Sequence, residues 1–266
     1  MTSSEASRLF EELRNRRPLV HHITNYVTVN DCANIAICTG AAPVMADAIE
    51  EMDDMVAIAS ALVLNIGTLN DRLVTSMLAA GRRANELGIP VIVDPVGAGA
   101  TPYRTETVNQ LLNELEVAVL KGNAGEIGVM AGSDAKVVGV DSHGVKGDPV
   151  EICREYAERL GLTVVMTAPE DIISDGKDTY VVSNGHPMME LVSGTGCMAS
   201  TVVGAFNAVS QDRALASASA LVAMGLAGEK AALEAKGPMS FRTKLFDSMY
   251  NMTPADVASG AKVRKI

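Results

Sequence analysis

Four short apolar segments, each followed by polar or glycine residues and then by a new structural element, constrain the fold most strongly. They are residues 61–64, 91–93, 117–120 and 163–166. Helical patterns follow the first two, near 71–87 and 104–113. The segments lack the apolar–polar alternation of half-buried strands, and strands that alternate with helices are typical of βαβ units. The sequence therefore predicts a single α/β domain over residues 1–266, with a mostly parallel sheet covered by helices on both faces.

The pattern changes towards the second half of the chain. Residues 172–175 and 179–183, joined through "DGK", predict a β-hairpin, and everything after Thr195 is predicted to be helical. Residues 139–149 are predicted to form a loop insertion. Nearer the start, 25–34 begins a predicted helix. The apolar side of that helix includes Val29, Ala33, Ile35 and Ile37.

Composition limits the partners and the compartment. The formal net charge of −10 argues against a nucleic-acid surface, although local basic residues can still hold a small anion. The chain has no apolar core of a secretory signal and no apolar run long enough to span a membrane, so we expect a cytoplasmic protein without membrane contact. Its four cysteines form no CxxC pair. Cys32, Cys38 and Cys153 are interpreted as packing residues.

Polar and glycine residues gather where the predicted strands end. Ligands of open α/β sheets bind beyond the carboxyl ends of the strands, so these positions are candidates for one site. They are Asn65, Gly67, Thr68, Asp94, Lys121, Asn123, Glu126 and Thr167. Asp94 and Glu126 could hold Mg²⁺ between them. The alternatives are a strand-end cap for Asp94 and compensation of a helix dipole for Glu126, and the residue type alone favours a solvated Lys121.

Two further segments carry candidate chemistry. In "LVSGTGCMASTVVGAF", Gly194 and Gly196 lead into a helical pattern, and a helix N-terminus binds anions and favours a thiolate at Cys197. Cys197 could orient a hydroxyl and take its proton, or be a small buried hydrophobe. His21 and His22 would point to opposite faces of a strand, which predicts one interior and one exposed imidazole rather than a metal pair.

The ordered motifs resemble those of the hydroxyethylthiazole kinases, a thiamine-salvage family of the ribokinase-like superfamily. The resemblance spans about 21–206. It rests on "HHITNYVTVNDCAN", "GAAPVMADAIEEM", "NIGTLN", "VDPVGAGATPYR", "KGNAGEI" and "NGHPMMELVSGTGCMAS". It implies a three-layer α/β/α fold and transfer of the ATP γ-phosphoryl group, with Mg²⁺, to the hydroxyl of 4-methyl-5-(2-hydroxyethyl)thiazole.

The resemblance also implies residue roles. Met45 and Gly194 would contact the thiazole, in a pocket shaped by Asn25, Val27, Gly67 and Thr68. Lys121, Asn123 and Thr167 would bind the nucleotide, Asp94 and Glu126 the metal, and Gly194, Thr195 and Gly196 would form an anion hole. Cys197 stands where most superfamily members have an aspartate base. The family forms homotrimers with substrate sites between subunits, which implies the same assembly here.

Two departures and three alternatives accompany this interpretation. Lys121 stands where the family usually has arginine, so the planar fork of donors is lost, and Ser193 replaces a threonine. Another ribokinase-like kinase, such as one acting on hydroxymethylpyrimidine, is the nearest alternative. A nucleotide-binding module without catalysis is the second alternative, but no G-x-G-x-x-G fingerprint follows the first predicted strand of this chain. A cysteine-nucleophile enzyme would need an activating histidine, for which His186 is the candidate.

Overall fold

The strands of the computed structural model form one sheet. The structure describes residues 3–132 and 147–266, and this part of the chain holds nine strands. They are β1 Leu19–Ile23, β2 Ala42–Met45, β3 Ala61–Asn65, β4 Val91–Asp94, β5 Val119–Asn123, β6 Thr163–Thr167, β7 Asp171–Ser174, β8 Thr179–Val182 and β9 Val263–Lys265. The predicted strands and the hairpin are therefore present, with ends displaced by at most three residues.

Helices precede the first strand, connect the parallel strands and form most of the chain between β8 and β9. They are α1 Ser3–Arg16, α2 Val29–Thr39, α3 Met52–Ala57, α4 Asp71–Glu86, α5 Pro102–Glu114, α6 Ala124–Ala131, α7 Pro149–Leu160, α8 Thr195–Asn207, α9 Arg213–Glu234, α10 Pro238–Asn251 and α11 Pro254–Gly260. Local sequence explains many of their ends. Asn70 and Thr101 cap α4 and α5 with their side chains, and Gly40 ends α2 in the left-handed conformation.

The strand order is β2-β1-β3-β4-β5-β6-β7-β8-β9. The pairs from β2 to β6 are parallel and those from β6 to β9 are antiparallel. Because parallel neighbours run in the same direction, the carboxyl ends of β1, β3, β4, β5 and β6 meet at one edge. The polar residues that end these strands therefore lie along a single rim.

Two hydrophobic cores flank the sheet. Alternate strand residues pack against α1, α2, α8, α9, α10 and α11 on one face, and the other residues pack against α3 to α7 on the opposite face. Val63 and Val165 belong to the first core, whereas Leu62 and Val164 belong to the second. The predicted three-layer α/β/α architecture is confirmed. Burial on both faces also explains why the strands lack polar alternation.

Several local predictions are wrong. The final segment is not entirely helical, because β9 adds a strand beside β8. Ile37 of α2 is 56% exposed, and the buried side of that helix is instead formed by Cys32, Ile35, Ala36 and Thr39. Most of the predicted loop at 139–149 lies outside the described residues.

Both histidines of β1 are buried, contrary to the prediction of one exposed ring. Helices cover both faces of this interior strand, so opposite orientations still lead into the protein. The His21 ring bonds the Ala46 carbonyl at 2.8 Å, and His22 Nε2 lies 3.2 Å from Thr201 Oγ1. Burial lowers the pKa of both, that of His22 to about 4, so both are neutral near pH 7.

Across residues 3–132 and 147–266, no helix is both long and apolar enough to cross a membrane.

Candidate active site

The start of α8 presents backbone amides to the rim. Gly194 precedes the helix with φ of 91°, and its carbonyl accepts the Met198 N–H at 2.8 Å. The amides of Thr195, Gly196 and Cys197 come before that first helical bond and have no acceptor within the helix. Gly194 and Thr195 are partly buried and Gly196 is exposed, so an anion can reach these donors.

Lys121 lies directly beside this helix start. Its side chain is only 3% exposed, and Nζ donates to the Gly196 carbonyl at 3.0 Å. The solvated interpretation is therefore wrong. Burial lowers the pKa of Lys121, but the nearby acidic groups, led by Asp94 and Glu126, together outweigh burial, and the net shift is upward. The ammonium group adds a fixed positive charge to the rim.

Asp94 ends β4 and is buried beneath the rim. Its Oδ2 accepts hydrogen bonds from Asn65 Nδ2 at 2.9 Å and Ser200 Oγ at 2.6 Å. Burial raises the pKa of Asp94, while the charge of Lys121 and both hydrogen bonds lower it. Within the described residues these two bonds converge on one oxygen, which leaves Oδ1 to other ligands.

Glu126 joins two loops of the rim. Its Oε1 accepts the Gly97 N–H at 2.7 Å, and its Oε2 accepts the Asn123 N–H at 2.8 Å. Asn123 in turn caps α6 by accepting the Glu126 N–H, so the two residues form a capping box. Burial and the charge of Asp94 raise the pKa of Glu126 to about 7. Glu126 therefore has a structural role at the start of α6. This role is compatible with an indirect contribution of its carboxyl group to cation binding.

The acidic residues fit a cation that needs few protein ligands. No group of three or more His, Cys, Asp or Glu residues in the described ranges could hold a metal by itself. The pKa of Glu126 is raised mainly by burial and further by the charge of Asp94. Mg²⁺ uses one or two carboxylates together with water and phosphate oxygens, and this donor set suits it.

Cys197 lies in the first turn of α8, between the anion site and the ends of β1 and β3. Its Sγ accepts hydrogen bonds from Asn25 Nδ2 at 3.4 Å and Asn65 Nδ2 at 3.3 Å. Burial and the charge of Asp94 raise its pKa, although Lys121 and hydrogen bonds oppose them. Burial therefore opposes the thiolate that the helix start is predicted to favour.

The remaining predicted residues surround this centre. Met45 ends the edge strand β2 and is partly buried, and Val27 is 62% exposed in the loop after β1. That loop meets the loop after β3, where Thr68 Oγ1 accepts the Tyr26 N–H at 3.3 Å. A Cβ on Gly67 would lie 2.8 Å from the Asn25 Cβ, so glycine permits this close approach.

On the other side of the rim, β5 and β6 carry the predicted nucleotide-binding residues. Asn123 and Thr167 are register partners across the two strands. Thr167 Oγ1 donates to the Gly122 carbonyl at 3.3 Å. Lys121 is two residues from Asn123 and therefore lies on the same face of the sheet.

The sequence interpretation missed several residues that support the site. Thr28 donates through its backbone and its hydroxyl to Asn25 Oδ1, at 3.0 Å in both cases. Ser200 is one helical turn from Gly196, a spacing that could have revealed it. The Arg104 guanidinium donates to the carbonyls of Ile66, Val96 and Gly67 and so joins the loops after β3 and β4.

Asp171 is a further acid that sequence alone did not select. It begins β7, and its Oδ1 accepts the Ala168 N–H at 3.0 Å. Burial raises its pKa to about 7, while this hydrogen bond and Lys121 oppose the shift. The folded protein therefore retains the Asp171 proton at pH values where the unfolded chain has lost it.

Asp171→Asn is expected to raise the melting temperature more at about pH 8 than at about pH 5, by roughly 3 °C. A raised folded-state pKa stabilises the fold at low pH, and this stabilisation is lost as the pH rises towards 7. The amide retains an acceptor for Ala168 and carries no charge at either pH. Thermal denaturation at both pH values tests this. An equal change at the two would contradict the assignment.

The cysteine-nucleophile alternative gains no support from the geometry. His186 Nδ1 accepts the Met188 N–H at 3.2 Å, and its ring lies 6.4 Å from that of Phe241. No histidine in the described parts of the chain hydrogen-bonds the Cys197 sulfur. The sulfur instead faces two amide groups, which cannot remove its proton.

Comparison with known proteins agrees with this arrangement. A family model described as the hydroxyethylthiazole kinase family matches residues 10–255. The chain belongs to the hydroxyethylthiazole kinase family. A family member from Methanocella arvoryzae, named hydroxyethylthiazole kinase, is 59% identical over 99% of both chains. The predicted family and enzyme class are thereby confirmed, and membership of a kinase family implies ATP as co-substrate.

Solved structures agree with the fold. The hydroxyethylthiazole kinase of Pyrococcus horikoshii OT3 superposes with a TM-score of 0.91 at 42% identity, over 98% of each chain. A ribokinase-like superfamily protein from Enterococcus faecalis gives a TM-score of 0.62 at 16% identity, over 89% of this chain and 87% of that one. The predicted ribokinase-like fold is confirmed.

Proposed function

We propose that this chain transfers the γ-phosphoryl group of ATP to the hydroxyl of 4-methyl-5-(2-hydroxyethyl)thiazole. One observation carries the proposal: the amides of α8, the Lys121 ammonium, the Asp94 carboxylate and the Cys197 sulfur converge on one rim. In the transfer, the substrate oxygen bonds to the γ-phosphorus and the bond to the ADP oxygen breaks. The three amides and Lys121 would stabilise the charge on the moving group.

The role proposed for Cys197 is to orient the attacking hydroxyl and receive its proton. Only the thiolate can receive it, and burial raises the pKa of this thiol. Phosphoryl transfer has a loose transition state in which the nucleophile needs little activation. We therefore assign most of the catalysis to the positioned amides and charges, and a smaller part to the sulfur.

Substrate and cofactor roles follow from position around that centre. Met45, Val27, Gly67 and Thr68 would border the thiazole, with Asn25 shaping the pocket from behind. Lys121, Asn123 and Thr167 would contact the nucleotide. Asp94 would bind Mg²⁺ directly. Glu126 would contribute its charge without direct contact, because both of its oxygens already accept backbone N–H groups. When bound, the cation would neutralise charge on the phosphates.

ADP formation with a panel of primary alcohols tests the substrate. The purified chain, ATP and Mg²⁺ would be combined separately with the thiazole alcohol, with hydroxymethylpyrimidine and with pyridoxal. We expect saturable turnover with the thiazole alcohol at a kcat/KM at least about 100-fold above the others. Preference for hydroxymethylpyrimidine would support the alternative kinase. ATP binding without turnover of any alcohol would support a non-catalytic module.

Cys197→Ser is expected to lower kcat by about tenfold, with little effect on the KM for ATP. This loss is smaller than general-base catalysis usually gives, because the nucleophile needs little activation in phosphoryl transfer. Serine keeps a side-chain oxygen near the hydroxyl but binds its own proton far more tightly than cysteine. Steady-state kinetics with the thiazole alcohol measure the change. Cys153→Ser, which alters a buried thiol outside the rim, should keep the parental kcat. An unchanged kcat for Cys197→Ser would contradict proton acceptance by the sulfur.

We also propose a homotrimer with sites between subunits, working in the cytoplasm where ATP is available. Exposed apolar side chains beside the rim support the assembly. Tyr26 is 80% exposed, Val27 62% and Leu191 63%, and β2 forms an uncovered sheet edge. Light scattering should give the mass of three 27.8 kDa chains, and Tyr26→Glu should lower it. A monomer with full activity would contradict interfacial sites.

A further inference from the structure

Two buried asparagines lie between Cys197 and Asp94, and backbone donors fix their orientation. The Gly67 N–H donates to Asn65 Oδ1 at 2.9 Å, and the Thr28 N–H donates to Asn25 Oδ1 at 3.0 Å. A backbone N–H can only donate, so each of these amide atoms must be the oxygen. The other atom of each amide, Nδ2, is therefore a donor, and both Nδ2 groups face the Cys197 sulfur.

Each Nδ2 group uses both of its hydrogens. Asn65 Nδ2 donates to Asp94 Oδ2 at 2.9 Å and to Cys197 Sγ at 3.3 Å. Asn25 Nδ2 donates to Asn65 Oδ1 at 2.9 Å and to Cys197 Sγ at 3.4 Å. The sulfur accepts in both cases, so its position is set by two amides rather than by packing alone.

Asn65 is the shared member of this network. It is 1% exposed, and it contacts the acid on the phosphate side of the rim as well as the sulfur on the alcohol side. A buried polar network in which every group is paired specifies a single geometry. Loss of the Asn65 amide would leave Asp94 with one protein donor and would free the sulfur to rotate.

We propose that Asn65 is a positioning residue for phosphoryl transfer, holding the Cys197 sulfur and the Asp94 carboxylate in one fixed arrangement. This inference rests on the proposed function, since it assigns Asn65 a role in the same reaction. It adds that Asn65 acts chiefly through Cys197, to a smaller extent through Asp94, and touches neither the alcohol nor ATP. The effects of changing Asn65 and Cys197 should therefore depend on each other.

A double-mutant cycle tests that dependence. Asn65→Ala is expected to lower kcat about tenfold, the loss expected for Cys197→Ser, while the KM for the thiazole alcohol changes less than about threefold. In a protein that already carries Cys197→Ala, adding Asn65→Ala should lower kcat by at most about a further threefold. Losses that simply multiply would show that Asn65 does not act through the sulfur, and would overturn the inference.

A variant that preserves shape guards against misfolding. Asn65→Asp retains an oxygen for the Gly67 N–H but has no N–H group for the sulfur. It should lose at least as much kcat as Asn65→Ala. Its melting temperature should fall, because the new carboxyl group lies against Asp94 Oδ2, so kcat is compared at a temperature where thermal denaturation shows the variant to be folded. Parental kcat in Asn65→Asp would overturn the inference. The matched control is Asn70→Ala, which removes an exposed cap of α4 in the same loop and should lose less than about twofold in kcat.

Alkylation of Cys197 gives a measurement that needs no substrate. Iodoacetamide modification, followed by the mass of the Cys197 peptide, should be at least about fivefold slower in Asn65→Asp than in the parent or in Asn70→Ala. An unchanged rate would overturn contact between Asn65 and the sulfur. Absence of thiazole-dependent turnover in the parent, with slowed alkylation in Asn65→Asp, would instead refute the proposed function and leave the contact standing.

Discussion

Gly194→Ala is expected to lower kcat by at least about 100-fold, comparable to the loss of an oxyanion-type donor. Gly194 has φ of 91°, a conformation that disfavours any side chain, and an added Cβ would collide with Thr28 Cγ2. Relief of that collision must move the loop or α2. Either movement misplaces the Thr195, Gly196 and Cys197 amides relative to the γ-phosphoryl group.

A second helix-start glycine provides the control for this prediction. Gly237 precedes α10 with an extended φ of 174°, and an added Cβ would meet nothing within 4 Å. Gly237→Ala should keep kcat within about twofold of the parent, because at most a small cap effect is altered. Steady-state kinetics and thermal denaturation would be measured for both variants. Equal kcat in the two alanine variants would argue against an anion site at α8.

Asp94→Asn is expected to lower Mg²⁺-dependent turnover by about 100-fold or more, since metal-assisted charge stabilisation is worth several kcal/mol. The change should raise the Mg²⁺ concentration needed for half-maximal rate. Stability should be equal or higher, because burial penalises the Asp94 charge and an asparagine oxygen can still accept from Asn65 and Ser200. Kinetics at several Mg²⁺ concentrations and melting temperatures measure both effects.

The control for Asp94 is an acid away from the rim. Asp148 caps α7 by accepting the Val150 N–H at 3.0 Å, and asparagine caps helices equally well. Asp148→Asn should therefore leave both turnover and stability unchanged. If Asp94→Asn lost stability in proportion to turnover, with no change in Mg²⁺ dependence, the carboxylate would be structural.

The sequence predicted the sheet and the rim because both follow from local patterns. Strands without polar alternation must be covered on both faces, and parallel strands bring Asn65, Asp94 and Lys121 to one edge. The glycine spacing before α8 likewise indicated a helix start. These features depend on neighbouring residues along the chain, and such patterns can be recognised without coordinates.

Contacts between distant segments could not be predicted in the same way. The bonds from Asn25 and Asn65 to the Cys197 sulfur join residues more than 130 positions apart. The balance of burial and charge that raises the pKa of Cys197 depends on those surroundings. Lys121 was misjudged for the same reason, since its burial depends on how α8 packs against β5.

Phosphorus-31 NMR of the reaction products tests the central claim most directly. The chain would be incubated with ATP, Mg²⁺ and the thiazole alcohol, and the new phosphorus resonance examined for coupling to protons. The account predicts a phosphomonoester signal split by the methylene protons next to the hydroxyl oxygen, appearing together with ADP. ADP accompanied only by inorganic phosphate, or no thiazole-dependent signal at all, would contradict transfer to this alcohol.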